Sequence, residues 1–301
     1  MLTLGIDTSN YTTSAALYDG EQVVQRKRSL PVKPGELGLR QSDALFHHTI
    51  ALPELLEDLL AGEAITAVGV SDKPRDIEGS YMPCFLAGVA IARGIAGAVN
   101  IPLQKYSHQQ GHLAAALFSA KRMDLLQDDF LAFHVSGGTT ECLLVSPGLQ
   151  AKILGGTADL NAGQLVDRVG VMLGFDFPAG KALDDLAQSG KLPRKISTKV
   201  DGQRCHLSGI ENQCRQMYAQ EILPANIARY CLESIADALL KIAGAAIGFH
   251  GELPLVFSGG VCCSEVLRAR VLAVYPQVYF AAAEYSADNA AGVAILAGEG
   301  V

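Results

Sequence analysis

Residues 4–20 read LGIDTSNYTTSAALYDG, and residues 131–147 read LAFHVSGGTTECLLVSP. Each stretch has an apolar strand, a turn of small polar residues that ends in a Thr-Thr pair, and a second apolar strand. The pairs lie at residues 12–13 and 139–140. A strand–turn–strand unit that recurs about half a chain apart predicts a duplicated fold rather than one sheet. Chance similarity is the alternative, because hairpins and Thr-Thr pairs are common.

Hydrophobic periodicity extends an alternating α/β pattern along the rest of the chain. The predicted strands are residues 2–7, 14–18, 22–28, 67–71, 103–106, 130–136, 140–146, 150–154, 253–257 and 278–281. The predicted helices are residues 44–60, 83–99, 108–120, 162–173, 181–189, 226–249, 261–274 and 287–298. Residues 191–204 are predicted to form a basic connector.

The composition favours a globular protein with a full core. The chain has 301 residues, of which 49% are hydrophobic and 18% charged, and this excludes intrinsic disorder. Its formal net charge of −7 disfavours nucleic-acid binding by the chain alone, since such binding needs a basic surface. The cations of the basic connector, at residues 191, 194, 195, 199 and 204, fit either an RNA contact or a solvated surface.

The sequence also predicts the compartment. The N-terminus lacks the basic and long apolar regions of a secretory signal, and Arg93, Lys241 or Pro276 interrupts the longest apolar stretches before they could cross a bilayer. Seven cysteines without a CxxC pair are typical of reduced thiols. We therefore expect a cytoplasmic protein with no membrane association.

Glycine-containing turns follow several of the predicted strands. Ser136-Gly137-Gly138 and the later Gly259-Gly260 have the small residues that let an anion approach backbone N–H groups. Neither turn matches the Walker A pattern or the dinucleotide fingerprint. Each alone is equally typical of a tight turn. Together they favour a nucleotide held between two similar lobes.

His108-Gln109-Gln110-Gly111-His112 places two imidazoles four residues apart, on one face of a predicted helix. This spacing suits two ligands of one divalent metal ion. Asp288, at the start of the last predicted helix, is a candidate third ligand. The alternatives are a pair of surface histidines and an aspartate that caps its helix. Gln109 cannot act as a general base, so the HExxH protease motif is absent.

Taken together, these segments resemble the TsaD family, the tRNA threonylcarbamoyladenosine transferases once called sialoglycoprotein endopeptidases or glycoproteases. The resemblance covers nearly the whole chain. Besides the two stretches quoted first, it rests on HQQGH at residues 108–112, DRVGVMLGFDFPAGKALDDLA at 167–187, CHLSGIENQ at 205–213, FSGGVCCSEVLR at 257–268 and SADNAAGVAILAG at 286–298.

The resemblance implies an actin-like ATPase (ASKHA) fold of two duplicated ribonuclease-H-like lobes, assigned to residues 1–125 and 126–301. It implies one divalent metal ion, iron or zinc, on His108, His112 and Asp288. It also implies that ATP or threonylcarbamoyl-adenylate binds between the lobes. The positions that carry over as nucleotide ligands are His134, Val135, Ser136, Gly137, Gly138, Asp167, Gly180 and Ser264.

The family reaction implied by the resemblance moves a threonylcarbamoyl group from its adenylate to the exocyclic amine of a tRNA adenosine. It implies work with partner proteins, an actin-like paralogue and an ATPase, and is compatible with a homodimer. A nucleotide-binding paralogue that acts as a partner or regulatory subunit is the alternative, and a glycoprotein peptidase is a weaker one.

The chain departs from the family pattern at several positions near the expected nucleotide and reaction centre. The opening turn lacks the usual acidic residues, Thr139 stands where the family has histidine, and Ser264 stands where it has asparagine. These positions are the reason for the paralogue alternative. The opening-turn residues concerned are Asn10, Tyr11 and Thr12.

Overall fold

The computed structural model describes residues 1–9, 11–31, 39–286 and 290–301. The chain divides into two compact units by its contacts. The first unit comprises Met1–Leu126, Gly148–Gln150 and Glu284–Val301, and the second comprises Gln127–Pro147 and Ala151–Ala283.

The described strands are β1 (Thr3–Asp7), β2 (Thr12–Tyr18), β3 (Val23–Ser29), β4 (Ala67–Lys73), β5 (Leu103–Ser107), β6 (Phe130–Val135), β7 (Thr140–Ser146), β8 (Gln150–Thr157), β9 (Lys199–Asp201), β10 (Arg204–His206), β11 (Leu255–Ser258) and β12 (Val278–Phe280). The described α-helices are α1 (Gln41–Leu60), α2 (Phe85–Val99), α3 (His108–Ser119), α4 (Ala162–Met172), α5 (Gly180–Gln188), α6 (Ser208–Ala219), α7 (Pro224–His250), α8 (Glu265–Leu272) and α9 (Ala291–Glu299). Short 3₁₀ turns occupy Met123–Gln127, Gly260–Cys263 and Ala283–Tyr285.

The first unit is built on a five-stranded sheet in the order β3-β2-β1-β4-β5. β1 pairs antiparallel with β2 and parallel with β4, and β4 pairs parallel with β5. All five residues of β1 are buried, because the strand is central and is covered on both faces. One face packs on apolar residues of α1 and α2, including Leu52, Leu56 and Ala92.

Helix α9 lies almost on the backbone of this sheet. A Cβ added to Gly5 or Gly69 would collide with backbone atoms of α9, and one added to Gly292 would collide with the backbone of Gly111 in α3. Glycines are needed where backbones approach this closely. The predicted lobes were continuous stretches, 1–125 and 126–301. Here the closing segment Glu284–Val301 joins the first unit because α9 packs on its sheet.

The second unit has a seven-stranded sheet in the order β12-β11-β6-β7-β8-β10-β9. β6 pairs antiparallel with β7 and parallel with β11, and β11 pairs parallel with β12. The stretch β8-β7-β6-β11-β12 repeats the order and strand directions of the first sheet. The predicted fold class is confirmed: two copies of one ribonuclease-H-like arrangement, each beginning with one of the two matching sequence stretches.

Helices α4 to α8 build the core of the second unit, and the long α7 contributes more buried residues than the other helices. The basic connector and the residues after it form the antiparallel pair β9–β10 and helix α6, none of which we predicted. The predicted helix 261–274 is interrupted: a 3₁₀ turn ends at Cys263 and α8 begins at Glu265. Within the described residues, no helix is both long and apolar enough to cross a membrane.

Candidate functional site

Two imidazoles meet at the N-terminus of α3 in the first unit. Ser107 accepts a hydrogen bond from Gln110 N–H (3.2 Å), while the Gln110 side chain accepts one from Ser107 N–H (2.9 Å). This capping box fixes where the helix begins. It brings His108 Nε2 and His112 Nε2 to 2.9 Å from each other. Two nitrogen ligands of one tetrahedral metal ion would be about 3.4 Å apart, so the pair fits such an ion.

A buried carboxylate orients the first imidazole. Asp7, at the end of β1, accepts a hydrogen bond from His108 Nδ1 (2.8 Å) and others from the hydroxyls of Ser71 and Ser9 (2.5 Å each). Burial raises the pKa of Asp7, but the charge of His108 and these hydrogen bonds outweigh it, so the pKa lies below its ordinary value. An ionised Asp7 can only accept, so His108 Nδ1 must donate. In the neutral ring the lone pair then lies on Nε2, which faces His112 Nε2.

The third predicted ligand, Asp288, lies outside the described residues, as does Asn10 of the opening turn. Within the described ranges, no three histidine, cysteine, aspartate or glutamate side chains converge as a metal site would require. The described donors are therefore the two imidazoles alone. Asp7 lies behind them as a carboxylate that orients His108, a role that the sequence analysis missed.

The predicted anion-binding turn follows β6 in the second unit. Ser136 N–H donates to Thr139 O (2.7 Å), and Thr139 N–H donates to Ser136 Oγ (3.2 Å). The turn rests on α4, since Gly163 N–H donates to Ser136 O (3.1 Å). A Cβ on Gly163 would lie 2.5 Å from Gly137 N, so this approach requires glycine. Thr139 thus supplies backbone groups that close the turn.

A second turn lies beside the first, because β11 is the parallel neighbour of β6. Ser258 is paired with His134 at the carboxyl ends of these strands, and His134 Nδ1 is 3.2 Å from Ser258 Oγ. Gly259 has φ +95°, and a Cβ there would collide with Val135 O. The carboxyl ends of parallel strands are where open α/β sheets bind their ligands.

A cavity of about 520 Å³ lies at this edge of the second unit. The predicted ligands Gly137, Asp167, Gly180 and Ser264 line it. The volume is within the range usual for small-molecule sites. Four residues from three separate sequence motifs thus line one cavity within the second unit. We call this cavity the nucleoside pocket, after the ligand that the sequence predicts for these residues.

Asp167 closes one side of the nucleoside pocket. Its Oδ1 accepts the N–H of Ala179 (2.9 Å), which holds the loop between α4 and α5 against α4. Nearby cations have other partners: Lys181 Nζ lies 2.9 Å from Asp185, and Arg168 lies 3.0 Å from Glu211. In the described contacts, both cations therefore pair with carboxylates other than Asp167.

Ser264 lines the nucleoside pocket, but its hydroxyl is engaged within the chain. It donates to Asp184 Oδ1 (2.5 Å) and accepts from Leu267 N–H (3.1 Å), so it is the N-cap of α8. Asp184 also accepts from Glu265 N–H (2.9 Å), which places its negative charge at the positive end of the helix. A nucleotide contact by Ser264 stays a prediction, and capping is the role that its contacts support.

Sequence reasoning missed most of the charged residues that line the nucleoside pocket. They are Lys181, Asp184, Asp185 and Glu265. The sequence contains a signal for Asp184. This residue directly follows Leu183 and lies three residues before Ala187, and both of these apolar residues lie on the inward face of the helix. The Asp184 carboxylate therefore lies next to that buried face. Its partner Ser264 is 80 residues away, and no local pattern reveals that pairing.

The other predicted nucleotide ligands lie beside the nucleoside pocket without lining it. Val135 is fully buried in the core, and Gly138 O accepts a hydrogen bond from the Asn161 amide (3.0 Å). His134 and Ser136 have the partners described above. These four residues shape the strand end and turn from which Gly137 reaches the pocket.

Comparison with solved structures defines the class of protein. The activator of the 2-hydroxyisocaproyl-CoA dehydratase from Clostridium difficile, solved with bound ADPNP, matches 100% of this chain and 95% of its own with a TM-score of 0.59 at 13% identity. HypF from T. kodakarensis matches 98% of this chain with a TM-score of 0.58 at 13% identity, and this chain spans 46% of that protein. These likenesses establish the fold: the chain is an actin-like ATPase-fold protein.

Sequence comparison narrows the class to one family. The sequence profile of TsaD, described as tRNA N6-adenosine threonylcarbamoyltransferase, matches residues 32–295. A tRNA N6-adenosine threonylcarbamoyltransferase of Nitrosomonas eutropha (strain DSM 101675 / C91 / Nm57) is 32% identical over 98% of this chain and 91% of its own length. The chain belongs to the TsaD family.

Proposed function

We propose that this chain is an acyltransferase that moves a threonylcarbamoyl group from its adenylate to the exocyclic amine of a tRNA adenosine. Family membership over nearly the whole chain carries this proposal. The nucleoside pocket supports it, because four residues at positions implied by the resemblance line one cavity.

The charges of the nucleoside pocket favour the nucleoside end of an adenylate. The charged residues that line the pocket are four carboxylates and one cation. They are Asp167, Asp184, Asp185, Glu265 and Lys181. Carboxylates accept hydrogen bonds from ribose hydroxyls but repel phosphates. Gly137 and Gly260 supply uncharged backbone at the other side, where a phosphate or carbonyl oxygen can approach N–H groups. The protein would thus orient the adenylate and stabilise charge that develops on the acyl group.

His108 and His112 would hold a divalent metal ion, with Asp288 as the proposed third ligand. Neutral imidazoles suit iron and zinc equally, so the donors described do not choose between them. Such an ion supplies Lewis acidity toward a phosphate or carbonyl oxygen. The residues of this chain prepare that role: Asp7 fixes the His108 tautomer and the capping box fixes the start of α3.

We further propose that adenine nucleotide, tRNA and family partner proteins, an actin-like paralogue and an ATPase, are the partners of this chain, and that a homodimer can form. A tRNA substrate favours a cytoplasmic location. The seven cysteines, all in the described part of the chain, form no disulfide, which agrees with a reducing compartment.

The test is threonylcarbamoyl incorporation into unmodified tRNA by the full chain together with the family partner proteins. Gly180→Val places two methyl groups in the nucleoside pocket and should abolish incorporation. Gly180→Ala is its matched control, since a Cβ there meets only Val166 at 3.8 Å. Incorporation that is equal in the wild type and Gly180→Val would contradict the pocket assignment.

Metal binding needs a separate measurement. Metal content by mass spectrometry should fall in His108→Ala and His112→Ala relative to the wild type. Gln109→Ala changes the side chain next to His108 on α3 and serves as the control. Equal metal content in both histidine variants and the wild type would exclude the imidazole pair as ligands.

A further inference from the structure

A second cavity of about 520 Å³ lies on the outer face of α4 in the second unit. Gln164, Arg168 and Val171 contribute to it from α4, Arg215 from α6, and Phe177 from the loop that follows α4. Asp167 lines both this cavity and the nucleoside pocket, so the two adjoin. We call the second cavity the arginine groove. Of the site residues predicted from the sequence, Asp167 alone lines it.

One buried carboxylate holds both arginines of the groove. Glu211, 8% exposed, accepts a hydrogen bond from Arg168 Nη1 (3.0 Å) and two from Arg215, at Nε (3.1 Å) and Nη2 (2.6 Å). The arginine side chains are 54% and 57% exposed. Each guanidinium has five N–H donors, and Glu211 takes three of the combined set. Glu211 therefore orients both guanidinium groups, and each keeps N–H donors that Glu211 does not take.

The arrangement differs from the exposed ion pairs of the first unit. There Arg26 pairs with Asp58, and Arg28 pairs with Glu54 at 2.5 Å, so that each cation has its own carboxylate. In the arginine groove two cations share one carboxylate. Asp167 also lines the groove, so the two cations and the two carboxylates balance, and the groove offers oriented guanidinium donors rather than excess charge. An anionic partner that approaches this face meets two oriented guanidinium groups.

Apolar surface next to the arginines is also exposed. Phe177 is 75% exposed and Val171 52%, and both line the groove. The loop that carries Phe177 is held in place, because Ala179 donates to Asp167 (2.9 Å) and packs on Gly170. An exposed aromatic ring beside guanidinium groups is the combination that unpaired nucleic-acid bases and phosphates bind.

We infer that the arginine groove binds a single-stranded loop of the tRNA next to the acceptor adenosine, with phosphates on Arg168 and Arg215 and a base stacked on Phe177. This inference rests on the proposed function for the identity of the RNA. Adjacency supports it: the two cavities share Asp167 in their lining, so an RNA bound in the arginine groove lies next to the adenylate in the nucleoside pocket. Glu211 is a positioning residue, since it acts through the two arginines.

Fluorescence anisotropy with a labelled, unmodified tRNA transcript at low salt tests the inference on the full chain. Arg168→Gln, Arg215→Gln and Phe177→Ala should each weaken tRNA binding about tenfold. Each arginine variant should also lower the slope of log Kd against log salt by about one, while Phe177→Ala leaves the slope unchanged. Affinity for an adenine nucleotide should stay at the wild-type value in all three, which shows that the pocket is folded.

The chain contains a matched control for the arginines. Glu233 on α7 binds Arg229 (2.7 Å, four residues apart) and lies 3.9 Å from Arg270, which is the same chemistry away from the groove. Arg229→Gln should leave tRNA affinity unchanged. An equal loss in Arg229→Gln would show a general effect of charge and overturn the inference.

The remaining outcomes separate this inference from the proposed function. Wild-type tRNA affinity in all three groove variants, or no tRNA binding by the wild-type chain at low salt, would overturn the groove assignment. Threonylcarbamoyl transfer measured in parallel could still stand in either case. Conversely, loss of tRNA binding in the groove variants with no transfer by the wild type and its partners would support the groove and contradict the proposed function.

Discussion

The Asp167 carboxylate has a structural role in the chain and a proposed role in nucleotide binding. Its Oδ1 accepts the N–H of Ala179 (2.9 Å), and the residue lines the nucleoside pocket. Asp167→Ala should weaken adenine nucleotide binding by about 1.5–3 kcal/mol, because a charge-assisted hydrogen bond is lost and the loop is released. Asp167→Asn keeps an oxygen acceptor and should lose less. Calorimetry with ATP measures both, and unchanged affinity in the alanine variant would place the nucleotide elsewhere.

Ser264 offers a test that distinguishes capping from ligand binding. Ser264→Ala removes the N-cap of α8 and should lower the free energy of unfolding by about 1 kcal/mol. Ser264→Asn introduces the residue usual in the family, which also caps helices well, and should keep most of the stability. Chemical denaturation gives the stability and calorimetry the nucleotide affinity. A loss of affinity without a loss of stability would favour the predicted nucleotide contact over the capping role.

At the scale of residues, sequence reasoning succeeded where both partners lie in one motif. His108 and His112 are four residues apart on one helix, so their proximity follows from helix geometry. Asp7 and Ser264 have partners 101 and 80 residues away, and only the folded chain reveals them. The family resemblance named Ser264 as a candidate nucleotide ligand. It did not name Asp184, which accepts the hydrogen bond of the Ser264 hydroxyl.

At the scale of elements, the first turn of α4 determines how close the turn after β6 can lie. Gly163→Ala puts a Cβ 2.5 Å from Gly137 N and should cost about 1–3 kcal/mol of stability, because backbone must move. Gly209 is also the second residue of its helix, α6, and a Cβ there meets nothing within 4 Å. Gly209→Ala should be neutral or stabilising by up to about 1 kcal/mol. Thermal unfolding compares the pair, and equal effects would contradict the packing described.

Helix α6 is attached to α4 through Glu211, which gives the second unit a pH dependence. Burial raises the pKa of Glu211. Hydrogen bonds and charges from Arg215 and Arg168 lower the pKa by more than burial raises it, so the folded pKa lies below the ordinary value. Its stabilising contribution is therefore present above the ordinary carboxylate pKa of about 4.3 and is lost as pH falls through the folded pKa.

The matching measurement is the free energy of unfolding at neutral pH and at about pH 3.5. Glu211→Gln should lose stability at neutral pH and show a smaller decrease on acidification than the wild type. Glu221→Gln, on the exposed turn after α6, controls for the change in net charge. The same acid sensitivity in the wild type and Glu211→Gln would show that Glu211 does not contribute in this way.

Strongly periodic elements were predicted well, and the irregular region was not. The strands and helices of both ribonuclease-H-like cores follow from apolar periodicity and turn residues. β9, β10 and α6 were missed because residues 199–219 are polar and carry short apolar signals. The break at residues 260–263 was missed because periodicity continues through it, although the Ser264-Glu265 pair is a helix-start signal.

At the scale of the molecule, net charge bears on how the proposed reaction could proceed. With a charge of −7 the chain has no long-range attraction for a phosphate backbone, and the opening turn lacks the family's usual acidic residues. We expect little or no threonylcarbamoyl incorporation into tRNA by the purified chain alone. Strong turnover by the unassisted wild type would contradict this expectation.

Two further measurements distinguish the two explanations for low incorporation, the net charge and the altered residues. If charge is the obstacle, lower salt or the family partner proteins should restore incorporation. If the altered positions are the obstacle, partners will not help, and Thr139→His combined with Thr12→Glu should increase incorporation instead. Thr139→Ala combined with Thr12→Gln controls for the loss of the native side chains.

The close contact of α9 with the first sheet also sets an order of events during synthesis. Gly5 and Gly69 leave room for a helix backbone that the ribosome makes more than 200 residues later. Every residue of the second unit precedes residue 284, so its core does not depend on α9. The first unit, although synthesised first, keeps one face of β1 and β4 uncovered until α9 emerges. Deletion of residues 284–301 should therefore lower the protease resistance of the first unit and leave that of the second unit unchanged.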